Sequence, residues 1–367
     1  MAGIGWGIDE ILTLSLSKVI NSRQLFNYIE NYDSFDRFRK VWASRAQSRL
    51  NSQQSFFTNE LDMLSEEADK QLELCLKQGV EIVSIWDDRY PKYLKEIDLP
   101  PVLLFVKGEL QKSDSLCLSI VGTRRCSNYG RLNAERFSQY FSQKGIVVVS
   151  GLAQGVDTYS HMATVEAGGV TYAVIASGID MISPSYSQKN AEKIVEAGGV
   201  IISEYMCGTI ARPGYFPQRN RIISGLSRAT IVVESKERGG SLITARFSFD
   251  QGRDVFAIPG NINSDRSRGT NNLIKQQMAH LAASPEEVLE ELGIIEDTLF
   301  DEAPKVNVKL DGDEKSIMDE IDFEPTHIDE LASKCNIEIT QLLVKLLNLE
   351  FKGVVRQLPG KYFIKAV

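Results

Sequence analysis

The sequence predicts an α/β protein built on a parallel sheet covered by helices on both faces, with a helical segment before it and a small domain of helices and a hairpin after it. Three observations carry this. Six short apolar runs alternate with helical patterns between residues 116 and 258, glycines and arginines gather where those runs end, and three helical patterns followed by a hairpin close the chain.

From residue 8 to about 76 the apolar spacing is helical: Leu25, Phe26 and Ile29 share a face, and Leu61, Leu64, Ala68, Leu72 and Leu76 recur at threes and fours. Residues 80–110 hold two short β-like runs punctuated by Pro91, Pro100 and Pro101. Strands are expected at 116–121, 146–149, 172–176, 200–203, 231–233 and 255–258, and helices at 129–144, 157–167, 187–197, 219–226 and 242–251. Towards the C-terminus, Ile328, Leu331 and Ala332 fall on one helical face and Leu342, Leu343, Leu346 and Leu349 on another, before a hairpin that turns at Pro359-Gly360. That is the layout of a winged helix-turn-helix. The expected domains are 1–79 (helical), 80–295 (sheet), 296–312 (acidic linker) and 313–367 (winged helix).

The 367 residues include 41 Lys+Arg and 49 Asp+Glu, a formal net charge of −8. Taken whole, that charge argues against a nucleic-acid partner. The excess is local, however: residues 296–324 hold 3 basic and 11 acidic groups, whereas 212–268 hold ten Lys/Arg against five Asp/Glu. The acidic stretch, with Pro304 and Gly312, reads as a solvated linker. Five scattered cysteines and three histidines form no metal-ligand or disulfide pattern, so no metal is expected. Without a signal-peptide pattern or a run near the ~20 apolar residues of a membrane span, the expected location is the cytoplasm, with no membrane partner.

In a parallel sheet, ligands bind outside the carboxyl ends of the strands. Those ends carry Gly122-Thr123-Arg124-Arg125, then the loop from Gly151 through Gly155 to Asp157, then Arg219-Asn220-Arg221 and Gly239-Gly240-Ser241. Glycines let backbone N–H groups approach an anion, and arginines grip phosphates with two donors. Neither G-x-G-x-x-G nor G-x-x-x-x-G-K-[ST] occurs, so a dinucleotide cofactor or a P-loop nucleotide is not expected. Arginines spread this widely suit a polyanion lying across a groove. Plainer readings stand beside this one. Such arginines also pair with neighbouring carboxylates, Asp157 suits a helix N-cap, His161 suits helix packing, and Ser241, a candidate phosphate partner with Thr244, suits a cap as well.

The segments "SIVGTRRCSNYG", "VVSGLAQGVDTYSHMATVEAGGVTYAVIASGID", "FPQRNRIISGLS", "VVESKERGGSLITA" and "QGRDVFAIPGNINSDRSRGTNNLI", preceded by "DDRYPKYLKEIDLPPVLLFVKG", resemble in order and spacing the DNA-processing protein A family (DprA, also called Smf), over residues 80–292. The resemblance implies a Rossmann-like domain that binds single-stranded DNA, protects incoming DNA in natural transformation and loads the RecA recombinase. It also implies a homodimer without metal or nucleotide cofactor and without enzymatic activity. It places Gly122 and Arg124 on the DNA backbone, with Gly151, Gly155, Asp157, Arg219, Asn220 and Arg221 along the same face. Thr123, Arg125, Ser241 and Thr244 complete the expected site.

The chain departs from the family pattern in three places. Ser183-Pro184-Ser185 stands for Tyr-Pro-Lys, which removes a basic contact at Ser185 for which Lys189, a helical turn on, is the expected substitute. Gly239-Gly240-Ser241 stands for Ser-Gly-Ser, and Met278-Ala279 for Gly-Ala. Two other functions remain open. One is a nucleotide phosphoribohydrolase of the LOG type, against which Arg246 falls where that chemistry needs a glutamate. The other is a recombination adaptor that does not bind DNA. The winged helix offers only Gln341, Lys345 and Asn348 on the polar side of its expected recognition helix, too little charge for duplex DNA, and suits a protein contact or weak DNA binding. The family often carries a helix-hairpin-helix or sterile-alpha-motif-like region at its N-terminus; residues 1–79 are expected to be a helical domain of that sterile-alpha-motif-like kind, and "LTLSLSKVINSRQLFNYI" lacks the glycine hairpin that would hold a phosphate.

Overall fold

The structure, a computed structural model, describes residues 5–17, 20–49, 54–182, 184–294, 312–322 and 324–365; the expected acidic linker 296–312 lies outside these except for Gly312. Four helices open the chain, α1 (Ile8–Leu16), α2 (Ser22–Asn31), α3 (Phe35–Arg49) and α4 (Gln54–Gln78). There follow β1 (Glu81–Ser84), α5 (Lys92–Lys95), β2 (Leu103–Lys107), β3 (Cys117–Val121), α6 (Asn128–Gln143), β4 (Val147–Ser150), α7 (Val156–Glu166) and β5 (Thr171–Ile175). Then come α8 (Ser185–Glu196), β6 (Val200–Ser203), α9 (Tyr215–Gly225), β7 (Ala229–Val232), α10 (Ser241–Asp250), β8 (Asp254–Ala257), α11 (Arg268–Lys275), β9 (His280–Leu281) and α12 (Pro285–Glu291).

The first nine strands form one sheet in the order β1-β2-β6-β5-β4-β3-β7-β8-β9. From β6 to β9 every neighbouring pair is parallel, as expected of continuous apolar strands. The sheet is nevertheless mixed: β1 and β2 add an antiparallel edge through β2–β6. The proline-punctuated segment between β1 and β2 holds only a four-residue helix, too short for a parallel crossover, so the chain doubles back. The chain first builds outward from β3 to β6 and then returns to lay β7 on the other side of β3. The connections after β3 and β7 therefore leave in opposite directions, and a crevice opens between them.

Side chains alternate across this sheet with period two. Leu104, Val106, Tyr172, Val174, Val200 and Ile202 pack on one face with Ile222 and Ile223 of α9 and Leu273 of α11. Leu103, Phe105, Ala173, Ile175 and Ile201 pack on the other with Ile11, Leu12 and Leu14 of α1, Leu25 and Ile29 of α2, and Ala68 and Cys75 of α4. The N-terminal helices thus share a core with the sheet. Cys75 brings its sulfur within 3.7 Å of Cys207, 132 residues away. The buried hydroxyls of the sheet are satisfied locally: Ser119 meets Thr230 at 2.7 Å between β3 and β7, and Ser150 donates to the Ile120 carbonyl at 2.6 Å.

The chain divides into two compact units, Met1–Arg125 with Ala134–Pro285, and Cys126–Asn133 with Glu286–Val367. The second contains α13 (Gly312–Glu320), β10 (Thr326–His327), α14 (Ile328–Cys335), α15 (Ile339–Phe351), β11 (Val355–Leu358) and β12 (Tyr362–Lys365), with strand order β10-β12-β11. Ile317, Ile328, Leu331, Leu342, Leu346, Leu349 and Phe363 form its core, which is the expected winged helix. The acidic stretch is not wholly a solvated linker. Glu314 is 4% exposed and binds Lys352 Nζ at 2.6 Å, and Asp313 binds Lys345 at 2.9 Å. Lys345, the cation expected on the recognition face of α15, is thereby held by a carboxylate.

Candidate nucleic-acid interface

The loop after β3 is set by three contacts. Thr123 N–H donates to the Glu234 carbonyl at 2.8 Å, the Thr123 carbonyl accepts from Val156 N–H at 3.3 Å, and Arg266 Nε donates to the Arg125 carbonyl at 3.0 Å. Gly122 has no room for a side chain, since a Cβ there would lie 2.5 Å from Val156 Cγ2. The loop after β3, the start of α9 and the loop after β7 enclose a cleft of about 420 Å³ at the crevice.

Nine of the expected residues line it: Gly122, Thr123, Arg124, Arg125, Asp157, Arg219, Asn220, Ser241 and Thr244. Gly151 lines an adjoining hollow of about 160 Å³ that shares Arg124, Phe216 and Arg219 with the cleft. Gly155 lines neither, and serves instead as the turn into α7 with φ +86°. Two other expected contacts, Lys189 and Arg221, line neither hollow. Lys189 is exposed on α8. Arg221 donates to Glu204 and to the Leu99 carbonyl, a structural clamp away from the cleft.

Among the other residues that line it are one aromatic ring and two cations outside the expected set, Phe216, Lys236 and Arg238. Lys236 and Arg238 lie in the basic tract before Gly239, where Glu237 obscured them. Phe216 stands three residues before Arg219, an aromatic beside arginines of the kind that single strands stack on. Arg124 lies over its ring at 5.6 Å. Arg124, Arg125, Lys236 and Arg238 have no carboxylate partner among the described residues. That is the reverse of a paired, solvated arginine run.

Arg219 lies deeper. α9 starts at Tyr215, a turn earlier than expected, because Pro217 sits in the first turn where a missing N–H costs nothing. Arg219 is therefore inside the helix and 5% exposed, with Nε and Nη1 buried and unbonded. Burial pulls its guanidinium down to about 10, opposed by Asp157 and reinforced by Arg124, so it remains charged at neutral pH. Gly151 makes its place: a Cβ there would fall 1.8 Å from Nη1.

Asp157 does not cap α7. Gly155 is the N-cap residue, and Asp157, in the first turn, turns back to accept the Gly151 and Ala153 N–H groups at 3.1 and 3.4 Å. Its pKa is raised by burial, against the lowering pull of Arg219. Ser241 caps nothing either: its hydroxyl donates to Ser235 Oγ at 2.9 Å. His161 is a packing residue, buried and bonded through both ring nitrogens. Arg246 pairs with Asp250 on the exposed side of α10.

Sheet, crevice and cleft define a doubly wound α/β protein with a cationic, aromatic-walled site at the strand ends, followed by a winged helix. The chain belongs to the DNA recombination-mediator protein A (DprA/Smf) family, whose family model matches residues 81–293, and the DprA winged helix domain matches residues 301–361. Protein Smf of Escherichia coli (strain K12) is 37% identical over 280 residues, covering 74% of each chain. The X-ray structure of DprA from Streptococcus pneumoniae superposes with TM-score 0.66 at 37% identity, over 77% of this chain and 97% of that one. DNA processing protein A from Helicobacter pylori, solved for its single-stranded DNA binding mode, superposes with TM-score 0.52 at 26% identity, over 58% and 95%. No helix among the described residues is long and apolar enough to cross a membrane.

Proposed function

We propose that this chain binds single-stranded DNA along the cleft, protects it during natural transformation and delivers it to RecA, acting as a cytoplasmic homodimer without cofactor or catalysis. The observation that carries the reading is the set of four cleft cations with no carboxylate partner around Phe216, above the buried and partly unbonded Arg219. Cations that track a backbone, together with a ring that takes one base, are what sequence-tolerant single-strand binding needs. Family membership and the single-stranded DNA binding of the Helicobacter pylori relative support the same reading. The hydrolase alternative has no support in the site, since Arg246 occupies the place of its carboxylate and faces away in an ion pair.

Gel-shift titration of oligo-dT and a duplex of equal length tests this. The wild type is expected to prefer the single strand, with affinity that falls as salt rises. Arg124→Ala is expected to lose about tenfold at every sequence and to flatten the salt dependence by about one phosphate contact. Equal binding by wild type and variant would sink the site assignment. Delivery to RecA is tested by the rate of RecA filament growth on the same strand, with and without this protein.

A further inference from the structure

The cleft is not where the aromatic surface ends. Tyr205, just after β6, and Tyr215, the first residue of α9, stack with ring centroids 4.3 Å apart and planes inclined by 20°. Both are half-buried, and the Tyr205 hydroxyl is pinned by donating to Gln218 Oε1 at 3.3 Å. Arg212 stands over the Tyr215 ring at 6.0 Å, exposed and without a carboxylate partner among the described residues. The pair adjoins the cleft: Tyr215 precedes Phe216 and lies one helical turn before Arg219, whose charge reaches Tyr205. Between Tyr205 and Asn220 the sequence has no acidic residue, and the preceding Glu204 is taken up by Arg221.

We infer that the Tyr205–Tyr215 stack is a second nucleobase platform, which takes a base of the single strand beyond the one at Phe216. The inference rests on the reading of the cleft as a single-strand site. The two tyrosines brace each other, which leaves the Arg212 side of Tyr215 for the base. Two base spacings at about 3.4 Å each come to about 7 Å, so Arg212, now at 6.0 Å, draws back by about 1 Å to admit a base between itself and the ring. A base held between a ring and a guanidinium gains from both faces, and every base has such faces, so the platform adds affinity without sequence preference. Arg212 supplies in addition a cation for the adjoining phosphate.

The test uses the full chain and dT strands of one length, intact or carrying one abasic site moved along the strand. Wild type is expected to show at least one position, besides the one that reports on Phe216→Leu, at which losing the base weakens binding about tenfold. Tyr215→Leu should remove that penalty and Tyr215→Phe should keep it, while Arg124→Ala weakens all strands alike and leaves the penalty in place. Photocrosslinking of wild type to 5-iododeoxyuridine strands gives a measurement independent of any variant, with adducts expected on Tyr205 or Tyr215. A penalty unchanged in folded Tyr215→Leu, or adducts confined to Phe216, would overturn the platform alone. Wild type that binds neither strand would overturn the cleft reading and the platform together.

Discussion

Gly155→Ala is expected to cost about 4 kcal/mol of folding stability, beyond the ordinary range for one substitution. Gly155 sits at φ +86°, ψ −131°, a conformation open in practice to glycine, for which alanine pays about 1–3 kcal/mol. A Cβ would also lie 2.3 Å from the Thr123 carbonyl oxygen and 2.7 Å from the Arg124 carbonyl carbon, so the backbone itself must give way at a similar further cost. The loop it would displace is the one that presents Arg124. Urea unfolding measures the loss, and Gly168→Ala is the control. Gly168 also has positive φ, at +72°, but its notional Cβ meets nothing within 4 Å, so only about 1 kcal/mol is expected there. Equal losses in the two variants would show that the contact with the β3 loop is not tight.

Acidification should reveal His161. The ring is fully buried: Nε2 accepts Leu152 N–H at 3.3 Å, and Nδ1–H donates to Thr171 Oγ1 at 2.7 Å, which in turn donates to the Val148 carbonyl at 2.7 Å. That network assigns the neutral Nδ1–H tautomer. Burial, and then the nearby Arg219, hold its pKa down at about 3, against about 6.5 for an unfolded histidine. Between those values the unfolded chain binds a proton that the folded one refuses, so stability falls as pH drops through this window and is fully present above it. The loss is about 3 kcal/mol at pH 4.5 relative to pH 7. Asp157 works in the opposite direction: its raised pKa adds stability at low pH that is lost as pH rises from its unfolded value. Comparing the pH dependence of unfolding in wild type and His161→Gln isolates the histidine, because Asp157 is common to both. Parallel curves would mean that the ring accepts its proton in the folded state.

Most of the central fold is legible in the chain. The strand at 200–203 falls where β6 is, and the other five expected strands lie within about two residues of their places, because a strand buried on both faces must be apolar throughout. What pattern did not show was the sense of β1 and β2, the two-residue β9 and the early start of α9. The first depends on whether a connection holds a full crossover helix, the second is too short to have a period, and the third turns on where Pro217 is tolerated. The merging of the N-terminal helices into the core of the sheet was likewise not visible, since an amphipathic helix does not record what it packs against.

The site divides in the same way. Glycine and arginine at strand ends point to Gly122, Arg124, Gly151 and Arg219, and these line the cleft or the hollow beside it, because local sequence places them where a parallel sheet exposes its carboxyl edge. Local sequence carries no sign that Arg221 answers Glu204 while Arg219, two positions away, lies buried beside Asp157, or that Lys189 lines neither hollow. The sequence by itself determined the strands, the helices and the chemistry available at the sheet edge, since these follow from periodicity and residue type. Which arginines are left without a carboxylate, which rings stand beside them and which carboxylate turns inward were decided only by the tertiary structure. Those are pairings between residues far apart in the chain, and a charge is neutralised by what comes within a few ångströms of it in space.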